Sequence, residues 1–163
     1  NKIQMLFTQA KISTAYRRTT TAAKECLKRT GHTSSAIELE DGTIVTGHSS
    51  PLLGCSAALL LNVMKHLAGI DHEKKLIPQS MIEPIQYTKI NYLGGHNPRL
   101  HTDEVLVALS VLSEKDENCR HALQQLPKLR GCQVHCTVML SEVDRKIFKK
   151  LGVNLTCEPV LKK

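Results

Sequence analysis

Two short tracts hold the side chains most able to do chemistry. The first is Gly47-His48-Ser49-Ser50-Pro51, followed by Gly54, Cys55 and Ser56 at the opening of a long apolar run. Unpaired backbone N–H groups and the positive end of a helix dipole meet at such a start, and nearby hydroxyls add donors, so Ser49 and Ser50 are candidate contacts to an anionic ligand. The second tract is Gly94-Gly95-His96-Asn97-Pro98-Arg99-Leu100-His101-Thr102-Asp103-Glu104. Arg99 offers a forked donor set suited to phosphate or carboxylate, and it stands three residues before Thr102, read as the cap of the next helix, so its side chain can fold back over that helix start with His101 beside it. A third candidate is His135, which shares one strand face with Thr137 while Cys136 and Val138 take the other. A polar side chain in the middle of a covered sheet is either hydrogen-bonded internally or faces a cleft. The candidate ligand-binding set is therefore Ser49, Ser50, Arg99, His101 and His135.

No complete catalytic motif accompanies these residues, and whether the domain is an enzyme stays open. Pro51 stands where a G-x-S-x-G nucleophile elbow needs its second glycine. The Gly-Lys-Ser/Thr of a phosphate-binding loop is missing. Cys55 at a helix start could be an activated thiol, yet a Cys beside Ala57 and Ala58 is more often simply a small core residue. The spacing of His96, His101 and Asp103 matches no metal template, so neither metal nor cofactor is implied.

These tracts must be positioned by the elements around them. The 163 residues are 41% hydrophobic but only 3% aromatic, with no Trp, which predicts one domain with an aliphatic core. The net charge is +7, but part of the excess sits in Lys162-Lys163 and the rest is spread over helix faces, so nucleic acid is not the expected partner. Six cysteines without a C-x-x-C pair read as reduced thiols in a cytoplasmic protein. The run Leu52–Ala68 is interrupted by Gly54, Ser56, Asn62 and Lys65, which marks a buried core helix rather than a membrane span.

Residues 1–10 lack a period and read as a tether from a preceding domain; residues 11–163 read as a single α/β domain with a helical subdomain at about 78–129. A helix capped by Ser13 or Thr14 should run to Thr30, with Gly31 in the left-handed position. Strands are expected at Ala36–Glu40 and Thr43–His48, joined by a type I′ turn at Asp41-Gly42. Ser50 and Pro51 should cap and open the helix that ends near Gly69. Further helices should span Ser80–Leu93, start at Thr102, and run from Asp116 to Pro127. Last come a strand over Val134–Leu140, a capping box at Ser141-Glu142-Val143-Asp144, a helix with the stripe Val143, Ile147, Phe148 and Leu151, a stop at Gly152, and a strand over Val153–Cys157. A strand, a crossover helix and another strand imply parallel, right-handed pairing, so the sheet should be mixed, with about four strands.

The hairpin leading into a buried helix and then further strands resembles the arrangement of nucleoside deaminases. That chemistry needs His/Cys-x-Glu at the helix start and P-C-x-x-C later. Here Cys55-Ser56-Ala57 lacks the Glu and no P-C-x-x-C occurs, so the resemblance implies a cytidine-deaminase-like arrangement and no activity. A second resemblance covers Lys11 to Pro159. The stretches Lys28-Arg29-Thr30-Gly31-His32, Ser50-Pro51-Leu52-Leu53-Gly54, Asn97-Pro98-Arg99-Leu100-His101-Thr102-Asp103-Glu104-Val105-Leu106 and Lys150-Leu151-Gly152-Val153-Asn154-Leu155-Thr156-Cys157-Glu158-Pro159 resemble the C-terminal region of the bacterial domain-of-unknown-function eighteen-forty-six family. That resemblance implies a larger cytosolic protein whose preceding, nucleotide-binding-like domain would be the partner of this one and supply part of its site. Some members have carried an ATP-dependent peptidase label, for which this piece holds neither an ATP loop nor a protease constellation, and the family brings no established catalytic residues. The expectation is a domain that helps bind an anionic small molecule; the alternative is a structural or oligomerisation domain with no ligand.

Overall fold

In the computed structural model the described residues are 2–159, with only the backbone described for 2–13. Lys162 and Lys163, which carry part of the excess charge, lie outside them, as does Asn1. The sheet has four strands, β1 (Ser34–Glu38), β2 (Ile44–His48), β3 (Gln133–Cys136) and β4 (Asn154–Cys157), in the order β2-β1-β3-β4. β1 is antiparallel to both β2 and β3, and β3 and β4 are parallel, as the crossover helix between them requires. Period-2 alternation divides the sheet. Ser35, Ile37, Val134, Cys136 and Cys157 share one face through the registers Ser35↔Cys136, Ile37↔Val134 and Cys136↔Cys157, and Ala36, His135 and Thr156 share the other.

Helix α1 (Lys2–Thr30) covers the His135 face and ends at Gly31 in the left-handed conformation. It runs unbroken from Lys2 through Ser13 and Thr14, so neither of these caps it. Helix α2 (Cys55–Ala68) covers the other face so closely that a Cβ on Gly47 would lie 2.5 Å from the Leu59 nitrogen. Only glycine allows this strand-to-helix approach. Helices α3 (Gln79–Tyr87), α4 (Thr102–Leu112) and α5 (Glu117–Leu123) form the helical region beyond α2, with a π-helical turn at Thr88–Tyr92 after α3; α6 (Glu142–Leu151) crosses between β3 and β4. Ile37, Leu59, Leu60, Met64, Leu100, Leu109, Leu129, Val134 and Phe148 are fully buried between these layers. No helix among the described residues is long and apolar enough to cross a membrane.

Three local expectations change. The hairpin turn is not type I′, because Asp41 keeps a negative φ and Gly42 alone is left-handed at φ 88°. Gly42 N–H donates to Leu39 O at 2.9 Å and Leu39 N–H to Thr43 O at 2.8 Å, which is a type I turn closed by a glycine bulge. Ser50 does not cap α2. Its hydroxyl accepts from the Leu52 and Leu53 N–H groups, both at 3.2 Å, and closes a tight turn instead, so that α2 starts four residues later with Gly54 as its cap. β3 stops at Cys136, short of the expected Leu140; Thr137 still exchanges hydrogen bonds with Ser34 at the start of β1, its N–H donating to the Ser34 carbonyl and its hydroxyl accepting from the Ser34 N–H, both at 2.9 Å, and beyond it the chain turns away to reach α6.

Candidate functional site

The site is organised by one carboxylate. Ser141 caps α6, its hydroxyl accepting from the Asp144 N–H at 3.3 Å. In a reciprocal capping box the third residue would return its carboxylate to the cap's N–H, but Asp is a carbon shorter than the Glu or Gln that does this. Asp144 instead sends its side chain across to the starts of two other helices. Its Oδ1 accepts from the Thr102 N–H at 2.9 Å and the Thr102 hydroxyl at 2.6 Å, at the first residue of α4. Its Oδ2 accepts from the Ser56 hydroxyl at 2.9 Å, in the first turn of α2, and lies 3.4 Å from His101 Nδ1. Burial alone would raise the pKa of this carboxyl, but the donors from His101, Thr102 and Ser56 outweigh it and bring it down to about 2. The hydrogen bond to Asp144 in turn raises the His101 pKa above its ordinary value, against the desolvation of the ring.

Three helix starts thus converge, and a cleft of about 400 Å³ opens where they meet, beyond the C-terminal end of β3. This is where open α/β sheets commonly place ligands. The cleft is lined by Gly54, Cys55, Ser56, Asn97, Arg99, His101, the Val138–Ser141 loop, Glu142, Asp144 and Arg145. The 97–101 loop that carries its Arg and His is stapled in place. Lys89 Nζ donates to the Arg99 carbonyl at 2.6 Å and to Glu104 at 2.8 Å, and Glu104 accepts from the His101 N–H at 2.8 Å. Asn97 accepts from the Arg99 N–H, and Leu100 N–H donates to Leu52 O, which fixes the loop to the α2 approach.

The five candidate residues do not all meet. Arg99 and His101 share the cleft. Ser50 does not line the cleft; its carbonyl accepts from Arg99 Nε at 2.6 Å, while its hydroxyl is used in the turn described above. Ser49 is buried and accepts a hydrogen bond from the Thr33 hydroxyl, away from the cleft. His135 lies on the opposite sheet face under α1, edge-on to Tyr16, with Nδ1 2.7 Å from the Thr156 hydroxyl. The helix start that Arg99 was expected to share with an anion is already served by Asp144, an internal anion delivered by α6. Sequence reading passed over Asp144 and Arg145, and the one available signal was the short Asp in a box that favours Glu or Gln.

None of the six cysteines is in a disulfide. Three of them, Cys55, Cys136 and Cys157, gather at the cleft end of the sheet, with the Cys136 thiol hydrogen-bonded to both of the others. Among the described residues no three His, Cys, Asp or Glu side chains are arranged to hold a metal ion.

Residues 15–163 match the model of a family described as domain of unknown function DUF1846, C-terminal. The chain is 52% identical over 159 residues to a UPF0371 protein of Corynebacterium urealyticum, covering 98% of this chain and 32% of that protein. It is 56% identical over 138 residues to one of Corynebacterium aurimucosum, 85% of this chain and 28% of that protein. A UPF0371 protein of Streptococcus sanguinis is 42% identical over 159 residues, again 98% and 32%. The chain spans about a third of the length of these curated relatives, and on both the residues matched and the identities it belongs to this uncharacterised family, as its C-terminal domain.

Proposed function

We propose that the cleft at the starts of α2, α4 and α6 binds an anionic small molecule bearing a phosphate or carboxylate, with Arg99 and His101 as its principal contacts and Arg145 at its rim. The observation that carries this reading is the convergence of three positive helix ends with two guanidinium groups and an imidazole inclined to protonation, against only Glu142 and Asp144. Asp144 is already saturated with donors, so it orients His101 and leaves the arginines to an incoming anion. A preceding domain, in proteins three times this length, would close the cleft and supply the remaining contacts.

The test is a titration of the chain with inorganic phosphate, citrate and a nucleoside monophosphate, followed by amide and imidazole NMR shifts. One charge-assisted contact is worth about 1.5–3 kcal/mol, so Arg99→Ala should weaken binding roughly ten- to a hundred-fold. Arg145→Ala, exposed on α6, should weaken it without touching the loop. Shifts that avoid Gly54, Cys55 and His101, or an Arg99→Ala that lowers the melting temperature while leaving binding unchanged, would return Arg99 to a structural role.

A second reading, an assembly domain, is favoured by a separate surface. Val107 and Val111 on α4 are 64% and 62% exposed, and with Met81, Ile85 and Ala108 they line an apolar groove between α3 and α4. Concentration-dependent light scattering tests it, and Val107→Glu should abolish any self-association found.

A further inference from the structure

We propose that Cys157 and Cys136 form an oxidant-responsive thiol pair, in which Cys157 is oxidised by a hydroperoxide and Cys136 resolves it to an intramolecular disulfide. This goes beyond anion binding and does not depend on it. The two residues are register partners on the parallel strands β3 and β4, with side chains on the same face. Neighbouring strands run about 4.8 Å apart, within the Cα separation a disulfide spans. Cys157 is partly exposed, whereas the other five cysteines are buried. That combination of an accessible sulfur and a resolving thiol beside it is what reversible thiol oxidation needs.

The surroundings of Cys157 favour its thiolate. The Cys136 thiol donates to it, the Leu140 N–H adds a second donor and Arg145 adds a positive charge from α6; against partial burial these bring its pKa down to about 6. From α2, Cys55 is hydrogen-bonded to Cys136. Glu158, next in sequence, turns to the other face, toward Lys24 and His135. The remaining thiols whose titration is displaced move the other way. Cys136 is raised by its own hydrogen bonds and burial, and Cys119 and Cys132 by burial.

The chemistry balances with one hydroperoxide per disulfide. The Cys157 thiolate attacks the distal peroxide oxygen, the O–O bond breaks, and for hydrogen peroxide the departing hydroxide takes a proton to leave as water. Cys157 is then a sulfenic acid. The Cys136 sulfur attacks that sulfur, its proton leaves with the hydroxyl as a second water, and the S–S bond forms. Two thiols are oxidised and one peroxide is reduced.

The test treats the reduced, purified chain with a few equivalents of hydrogen peroxide at pH 7. Titratable thiols should fall from six to about four, a peptide joining Cys136 to Cys157 should appear in a non-reducing digest, and dithiothreitol should reverse both. Cys136→Ser should stop at a Cys157 sulfenic acid that dimedone traps, and Cys157→Ser should keep its remaining thiols under the same dose. The wild-type chain supplies a control that needs no variant: alkylation of Cys157 should titrate with a midpoint near 6 and at pH 6 run roughly 20-fold faster than an ordinary exposed thiol, the gain in thiolate outweighing its lower nucleophilicity. A crosslink to Cys55, oxidation spread evenly over the six cysteines, irreversible sulfinic acid at Cys157 in the wild type, or an alkylation midpoint near 9 would overturn the proposal.

Discussion

Replacing Asp144 with asparagine keeps the shape of the side chain and removes its charge. In the native chain the carboxyl moves from an ordinary 3.8 to about 2, because donors from His101, Thr102 and Ser56 outweigh its burial. At about 1.4 kcal/mol per tenfold, the charged form is favoured in the fold by about 2 kcal/mol. The sign follows from linkage. The folded state binds the proton less readily than the unfolded chain, so this stability is complete above pH 3.8 and drains away as pH falls toward 2. Asp144→Asn should therefore cost about 2 kcal/mol at pH 7, or roughly 4–8 °C in melting temperature for a chain of this size. The gap from wild type should close between pH 4 and 2. Urea unfolding at pH 7, 4 and 2.5 measures it, and the same samples give the His101 titration, which should drop toward 6.5 once its partner is neutral. A variant as stable as wild type at pH 7, or a gap that persists unchanged at pH 2, would show that Asp144 does not hold the helix starts together through its charge.

Two histidines should titrate in opposite directions. His101 is raised by Asp144, so its contribution is complete below pH 6.5 and lost as pH rises through its folded value; His135 is lowered by burial, so folding loses stability as pH falls below 6.5. Imidazole NMR on the wild-type chain distinguishes them, and a reversed order would contradict the geometry. Gly47→Ala pushes a Cβ into the backbone of Leu59 and Ala58, so it should cost at least about 3 kcal/mol, seen as a fall of roughly 6–12 °C in thermal melts; a neutral outcome would mean α2 can slide off the sheet. Lys65→Met keeps the buried stem but removes the ammonium that donates to His72 O at 2.8 Å and Lys74 O at 3.1 Å, so limited proteolysis should cut the 71–77 loop sooner, with a loss of about 2 kcal/mol in urea. Lys146→Ala breaks only the exposed pair with Glu142 and should change stability by less than about 0.5 kcal/mol.

Local pattern was enough for much of this fold. The parallel β3–α6–β4 unit followed from the Val143, Ile147, Phe148 and Leu151 stripe between two apolar runs, and from the stop expected at Gly152, which the structure shows in the left-handed conformation at φ 80°. That a helix begins at Thr102 and that Asp116 caps another were also legible; Asp116 accepts from the Asn118 and Cys119 N–H groups as a short polar cap does, whereas the cap of α4 is His101 and not the expected Thr102, whose hydroxyl donates to Asp144 instead. Where two local solutions compete, the sequence was silent. Ser50 serves a turn as well as it would serve a helix, and only the pairing of Leu52 and Leu53 with Leu100 decides between them. The site belongs to that second class. Arg99 and His101 stood out as a dense tract, but what gives them a cleft is Asp144, which arrives from 43 residues away from His101 and looks in sequence like part of a cap. The thiol cluster joins Cys55, Cys136 and Cys157 in the same way, through strand register and the seating of α2. Hydrogen bonds within a turn or a cap are encoded by neighbours in the chain, whereas a carboxylate shared by three helix starts exists only once packing has fixed where those helices begin.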